Sequence, residues 1–309
     1  MTVRFRPGWL TRVATAVAVT AVATATACSS SSGGHTSSNS ATIKTDTRLH
    51  ASLPAALRER GVLRIATDAT YAPASSYAAN GRTIIGFDAD LGMAIAKVLG
   101  LKGQVIDHDF QSLRSFLNAG HTDLIMSAMT DTAARERQVD FVDYFSAGTA
   151  IVVQRGNPAA ITDLGSLCGL SVAVEAGTVQ QSLLAAEQKR CGAKKMTVHA
   201  TGNNSEALLL VRTGRAKAIL LDYPPAALVT TAPATSDLYQ LATTAQYEPA
   251  PYGVGVSKKL PALRNAVRDA LTELMKSGAY RAILRKWHVQ SGALDRVTVN
   301  SAGGAAQSS

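Results

Sequence analysis

Cysteine is scarce here, with three in 309 residues, and no two form a C-x-x-C pair. No H-E-x-x-H occurs either, and the six histidines are dispersed. The chain therefore offers no metal-ligand spacing, and no metal or cofactor is expected. Aromatic residues make up only 5%, and the basic residues form no run with aromatics interleaved. A nucleic-acid surface is set aside on that ground, despite a formal charge of +9. G-x-G-x-x-G, P-loop and G-x-S-x-G signatures are also missing. Gly253-Val-Gly255 is only a glycine pattern inside a strand. Past the N-terminus the chain has no second membrane segment. What remains is 46% hydrophobic and 17% charged, enough for one large or two medium domains with real cores.

The N-terminus carries an address. Arg4, Arg6 and Arg12 precede an Ala/Val/Thr-rich run, 13–27, which ends at Cys28. A positive start followed by an apolar stretch too short to cross a bilayer comfortably reads as an export signal, 1–27. Removing those three arginines takes the charge from +9 to +6. Ala25-Thr26-Ala27-Cys28 resembles the bacterial lipobox, with Ala25 where leucine is usual. Either Cys28 is lipidated, or cleavage follows an ordinary Ala-x-Ala site and leaves it bare. The Ser-rich stretch after it favours lipidation, and two or more acyl chains hold a protein stably on a membrane. The expected location is extracytoplasmic, lipid-anchored to the cell membrane through a flexible tether over 28–52. In an exported chain the two remaining cysteines, Cys168 and Cys191, read as a bridged pair.

Structure is expected from Leu53. An apolar run at 62–66 enters a polar turn containing Asp68, Tyr71 and Pro73. Asp88 or Asp90 then caps a helix with Leu91, Ile95, Val98 and Leu99 on one face. A strand at 104–106, a helix with Leu113, Phe116 and Leu117, and a strand at 124–129 follow. Strands alternating with helices point to α/β architecture with mostly parallel strands. The segment 145–153 reads as a long strand that leaves this sheet, and a second alternation runs from there to Asp222. A strand at 252–256 returns, followed by an amphipathic helix carrying Leu263, Val267 and Leu271. The tail, 296–309, is small and polar and is expected to be disordered.

Four polar clusters share one position: Asp68 with Tyr71, Thr130 to Arg135, Thr178, and Asp222. Each follows the C-terminal end of a strand, where open α/β sheets bind ligands. Thr132 is a good helix N-cap, yet Arg135 stands where a capping box has Glu or Gln. A cation there opposes the helix dipole by roughly 0.3–1 kcal/mol, which a nearby anion offsets. Arg135 is thus either a solvated surface residue or an anion clamp with a fork suited to carboxylate. The helix opening after Gly177 adds a second anion site, and Asp222, with Asp68, suits an ammonium group. A carboxylate plus an ammonium describes a free α-amino acid, its aliphatic part covered by Tyr71 and Phe110. Each residue has a plainer reading: Asp222 starts a turn, Thr178 caps a helix, Phe110 is core.

The motifs Gly86-Phe-Asp-Ala-Asp-Leu91, Met129-Thr-x-Thr-x-x-Arg135 with Val139-Asp-Phe141, Gly177-Thr178, Asp222 and Trp287 occur in that order. Together they resemble extracellular solute-binding protein family 3, the polar amino-acid receptors of bacterial ABC importers, over roughly 57–289. The resemblance implies the two-lobed type II periplasmic-binding fold, each lobe a mostly parallel sheet flanked by helices. Lobe 1 takes 53–148 and 251–295, lobe 2 takes 149–250, and two strands near 145–152 and 246–253 form the hinge. It implies that Arg135 clamps the α-carboxylate with Thr130 and Thr178, and that Asp222 holds the α-amine. Asp68, Tyr71 and Phe110 match side-chain or stacking positions. Ser127 and Ala128 match backbone contacts, Val179 joins the set at the helix start, and Glu175 takes the side-chain selector's place. Ala74, Ala133-Ala134 and Val142 depart from the usual aromatic, Pro-Glu and Ser. The expected ligand is a polar or basic amino acid, and the expected partners are an ABC permease and its ATPase, served by a monomer. The pair Cys168 and Cys191 lies near the ends of the strand–helix unit carrying Thr178. Two other functions stay open. One is a ligand-sensing subunit for a signalling partner. The other is a prephenate or arogenate dehydratase-like enzyme with Glu175 as general acid, although the chain is expected not to be an enzyme.

Overall fold

The computed structural model describes residues 43–302, so the signal, Cys28, the tether over 28–42 and the tail over 303–309 lie outside the described residues. The fold begins earlier than Leu53. Asp46 caps α1 (Thr47–Ser52), its Oδ1 accepting the Arg48 and Leu49 N–H groups at 2.8 and 3.1 Å. Leu49 and Leu53 are buried in the core, so residues 43–52 are folded and the tether expectation is corrected for them. Helix α2 (Ala55–Arg60) follows and ends at Gly61.

The apolar run then becomes β1 (Val62–Thr67), and β2 (Thr70–Tyr71), β3 (Ser75–Tyr77) and β4 (Ile84–Ile85) form a small antiparallel sheet. Next come α3 (Phe87–Val98), β5 (Lys102–Asp107), α4 (Leu113–Asn118), β6 (Leu124–Ile125) and α5 (Ala133–Glu136). Strand β6 is shorter than the 124–129 read from the sequence, because the chain leaves the sheet to build the site. The long strand β7 (Asp140–Gln154) leads to β8 (Ser171–Glu175), α6 (Val179–Arg190), β9 (Thr197–Thr201), α7 (Asn204–Arg212) and β10 (Ala218–Asp222). Helix α8 (Tyr223–Thr231), β11 (Tyr239–Leu241) and β12 (Tyr247–Val256) bring the chain back, and α9 (Pro261–Lys276) and α10 (Ala279–Lys286) close it.

The main sheet runs β5-β1-β6-β12-β7-β10-β8-β9, with β11 added on β7. Its two outer groups are parallel, β5-β1-β6 and β10-β8-β9. Between them β12 and β7 pair antiparallel, with register shifts near Tyr247/Ala250 and Tyr252/Gly253. The sheet is therefore continuous and mixed, where the sequence suggests two separate ones. Apolar packing is nevertheless split. Val142, Tyr144 and Phe145 of β7 join one core, while Ile151 and Val153 of the same strand join another. Strand β12 repeats this, with Tyr252, Val254 and Val256 in the first core and Tyr247 against the second. Gly253 is needed at the crossing, since a Cβ there would sit 2.7 Å from the Phe141 side chain.

Two long-range ties complete the fold. Residues 297–302, read as disordered tail, strap across β7. Val299 bridges Val142, the Thr298 hydroxyl donates to Asp143 at 2.6 Å, and the Ser301 N–H donates to Asp131 at 2.9 Å. Cys168 and Cys191 form a disulfide with Cα atoms 5.3 Å apart, which ties the far end of α6 to the loop before β8. The bridge closes a loop with a sequence separation of 23, so opening it restores chain entropy to the unfolded state. Reduction, or Cys168→Ser with Cys191→Ser, is expected to lower stability by about 3 kcal/mol. Urea unfolding with and without reductant checks this, and an unchanged midpoint would contradict it.

Candidate functional site

The loop after β1 is shaped by Asp68. Its Oδ1 accepts the Thr70 N–H and hydroxyl at 2.8 and 2.6 Å, an Asx-type turn. Its Oδ2 accepts the Phe110 N–H at 3.2 Å, and its own N–H donates to the Ser127 hydroxyl at 2.9 Å. Those bonds draw the ends of β1 and β6 and the start of the Phe110 segment together around one cavity. Past β6, Ala128 has a φ of 45°, a left-handed conformation unusual for a residue with a side chain. Asp88 holds it: Oδ2 accepts the Ala128 N–H at 2.7 Å and Oδ1 accepts the Tyr144 hydroxyl at 2.6 Å. Helix α3 is capped by Gly86, so Asp88 does not cap it as the sequence suggests. Burial pushes the Asp88 carboxyl up to about 7, against the pull of those two donors.

Thr132 caps α5 by accepting the Arg135 N–H at 3.2 Å. Arg135 itself is 7% exposed, so the surface reading is excluded. Its guanidinium donates to the Thr130 carbonyl at 2.7 Å and to the Gly177 carbonyl at 3.0 Å, and lies 5.5 Å from the Phe110 ring centre. Two single bonds to carbonyls leave this five-donor fork with N–H groups to spare. Burial, followed by the charge of Arg114, lowers its pKa to about 10, and Asp222 and Asp131 oppose the shift.

The opposite wall comes from β8, α6 and β10. Gly177 has a φ of 78°, and a Cβ there would meet Gln111 of the facing wall at 3.2 Å. Thr178 caps α6, accepting the Gln181 N–H at 3.3 Å while donating to the Glu175 carbonyl at 2.7 Å. Asp222 ends β10 at the N-cap position of α8, but its side chain makes no capping bond. Its Oδ1 accepts from the Gln180 amide at 2.9 Å and its Oδ2 from the Tyr71 hydroxyl at 2.9 Å. The Tyr71 oxygen in turn accepts the Asp222 N–H at 2.8 Å, so a two-point clasp joins the walls. Burial raises the Asp222 carboxyl to about 6, with Tyr71, Tyr252, Gln180 and Arg135 pulling the other way.

Asp68, Tyr71, Phe110, Ser127, Ala128, Thr130, Arg135, Glu175, Thr178, Val179 and Asp222 all line this one narrow cavity, together with Gln180. Phe110 also packs in a core cluster, so its two readings are compatible. Sequence reasoning passes over Gln180, which is 3% exposed and bonds Thr149 as well as Asp222. It also passes over Tyr252, buried with its hydroxyl beside the Asp222 carboxyl. A polar residue two places past a helix cap was the available signal for Gln180; Tyr252 gave none. Three carboxylates and one guanidinium thus share a buried space, and the arrangement suits a ligand carrying one anionic group and more than one cationic or donor group. Among the described residues no group of His, Cys, Asp and Glu could hold a metal.

Comparisons with known proteins bear on the family and the fold. Residues 63–290 match the bacterial extracellular solute-binding proteins, family 3. An arginine-binding protein of Corynebacterium glutamicum is 29% identical over 258 residues, 82% of each chain. A solved ancestral arginine-binding protein bound to arginine superposes with a TM-score of 0.69 at 34% identity, covering 74% of this chain and 98% of that one. An ancestral arginine-binding protein bound to glutamine superposes at 0.67 and 35%, covering 74% and 99%. The architecture held in common is the two-lobed α/β type II periplasmic-binding fold. With β7 and β12 each shared between apolar clusters and residues 63–290 matched, the chain belongs to the bacterial extracellular solute-binding proteins, family 3.

Proposed function

We propose that the cavity binds a basic amino acid, with its α-carboxylate on Arg135, its α-ammonium on Asp222 and its side chain toward Asp68 and Glu175. The chain is an extracytoplasmic substrate-binding component of an ABC importer for a polar or basic amino acid, and its role is binding, not turnover. The observation carrying the finer reading is the charge balance: Asp68, Glu175 and Asp222 against the single Arg135. A buried carboxylate is stable only when paired, and a zwitterion with a cationic side chain supplies one anion and two cations. Names of relatives support the class, all three being arginine-binding proteins and one of them solved with glutamine.

In this reading lobe 1 comprises 43–148 and 251–302, since Leu49, Val297 and Val299 join its packing, and lobe 2 comprises 149–250. Closure brings Arg135 to Gly177 and Tyr71 to Asp222, so ligand contacts from both walls exist only in the closed form and shift the equilibrium toward it. A lipid on Cys28 keeps the receptor near its permease. Calorimetry on protein freed of carried-over ligand, run against arginine, lysine, ornithine, glutamine, histidine and glutamate, is the test. Tight binding of the basic set is expected. Binding of glutamate alone, or of no amino acid, overturns the proposal.

A further inference from the structure

We propose that Glu175 lets this one cavity take two ligand classes differing by a proton: a cationic side chain opposite the ionised carboxylate, and a neutral amide or ureido side chain opposite the protonated acid. The inference rests on the cavity being an amino-acid site, and it adds how the side chain's charge is read.

The geometry is specific to Glu175. Among the cavity's acids Asp68 and Asp222 have both oxygens engaged by protein donors. Glu175 is 5% exposed, and its Oε1 is buried with no protein donor, while its carboxyl shares a hydrogen bond with that of Asp68. It sits at the end of β8, facing Asp68 from the β1 loop, Asp109 from the segment before Phe110, and Asp222 from β10, with the Tyr71 hydroxyl also in range. The cavity's one cation, Arg135, bonds the Thr130 and Gly177 carbonyls and is not paired with Glu175. A carboxyl with acidic neighbours and no cationic partner retains its proton. Burial, then the charge of Asp68, raises the Glu175 carboxyl to about 9.

Two bound states follow. A guanidinium or ammonium beside Glu175 supplies the missing countercharge, so the carboxylate is stable ionised and the complex contains no proton there. A neutral carbonyl beside it supplies an acceptor instead, so the acid stays protonated and donates its O–H to that oxygen. The two complexes differ by one bound proton, exchanged with solvent. Arginine and citrulline are suitable probes, since citrulline replaces the guanidinium with a neutral ureido group of nearly the same shape. Asp222 and the ligand's own α-groups enter both equilibria alike and cancel in the ratio.

Calorimetric affinities for both ligands, measured from pH 6 to pH 8, test this directly. The ratio of arginine to citrulline affinity should rise about tenfold per pH unit, about a hundredfold over the range. Titrations in buffers of different ionisation enthalpy should differ by about one proton between the two ligands. In Glu175→Gln the ratio should be lower and independent of pH. A pH-independent ratio in the unaltered protein overturns the inference, as does arginine binding with no citrulline binding at any pH, or a slope that survives Glu175→Gln. Failure of every amino acid to bind overturns the amino-acid reading instead, so the two claims fail separately.

Discussion

Replacing Arg135 by alanine should weaken amino-acid binding by roughly 2–5 kcal/mol, about thirty- to five-thousand-fold in Kd. The size follows from burial. Arg135 is 7% exposed and is the cavity's one guanidinium, so its loss leaves an incoming carboxylate desolvated without a partner. The Gly177 carbonyl also loses its donor from the facing wall, which weakens closure itself. Arg135→Lys separates the two effects. A lysine keeps the charge but lacks the planar fork, so it cannot hold Thr130, Gly177 and a carboxylate together. It should recover part of the lost affinity and no more. The variants' melting temperatures without ligand report whether the fold is intact, and wild-type affinity in Arg135→Ala at an unchanged melting temperature would place the carboxylate elsewhere.

Arg135 also shows what was legible in the chain. Its local conflict, a cation in the first turn of a helix capped by Thr132, was visible without any structure, and it arises from a cavity that sets the residue against carbonyls and carboxylates. The strand-end rule gathers Asp68, Thr178 and Asp222 for a similar reason. Strand ends are fixed by apolar runs, which composition displays. Gln180 and Tyr252 were hidden because their burial depends on partners far along the chain, Thr149, Asp222 and Phe145. Asp88 misled in the opposite sense. Two residues before Asp90 at a helix start it looks like a cap, whereas its partners, Ala128 and Tyr144, stand 40 and 56 residues away. The same holds at both chain ends. Thr298 and Asn300 belong to a polar stretch with no periodicity, and only their bonds to Asp143, Phe141 and Asp140 give it order. At the other end the Asp46 cap of α1 was in plain view but lay in a stretch dominated by the Ser-rich tether. Mixed pairing in the middle of the sheet could not be read from local pattern at all, since a buried strand has the same composition whichever way its neighbour runs.

Asp222 should prove as costly to lose as Arg135. Asp222→Asn is expected to lower affinity by roughly 2–5 kcal/mol, although it conserves shape. A carboxylate offers about four lone-pair sites; Gln180 takes one on Oδ1 and Tyr71 one on Oδ2, which leaves acceptors for an ammonium. Asparagine turns one of those oxygens into a donor, facing either the Gln180 amide or the Tyr71 hydroxyl, and removes the charge that balances the ligand. Tyr71→Phe removes both bonds of the clasp but leaves the Asp222 charge, and should cost less, roughly 1.5–3 kcal/mol. The pH dependence has a definite sign. The free carboxyl is held up to about 6, and the ammonium binds the ionised form. Binding therefore expels a proton below that value, and affinity falls about tenfold per pH unit as pH drops under 6. Above 6 this contribution is constant. Calorimetric titration of unaltered protein and Asp222→Asn from pH 4.5 to 7.5 separates the parts: the break near 6 should vanish in the variant. If it persists there unchanged, the titrating group is another of the cavity's acids and the ammonium is not held by Asp222.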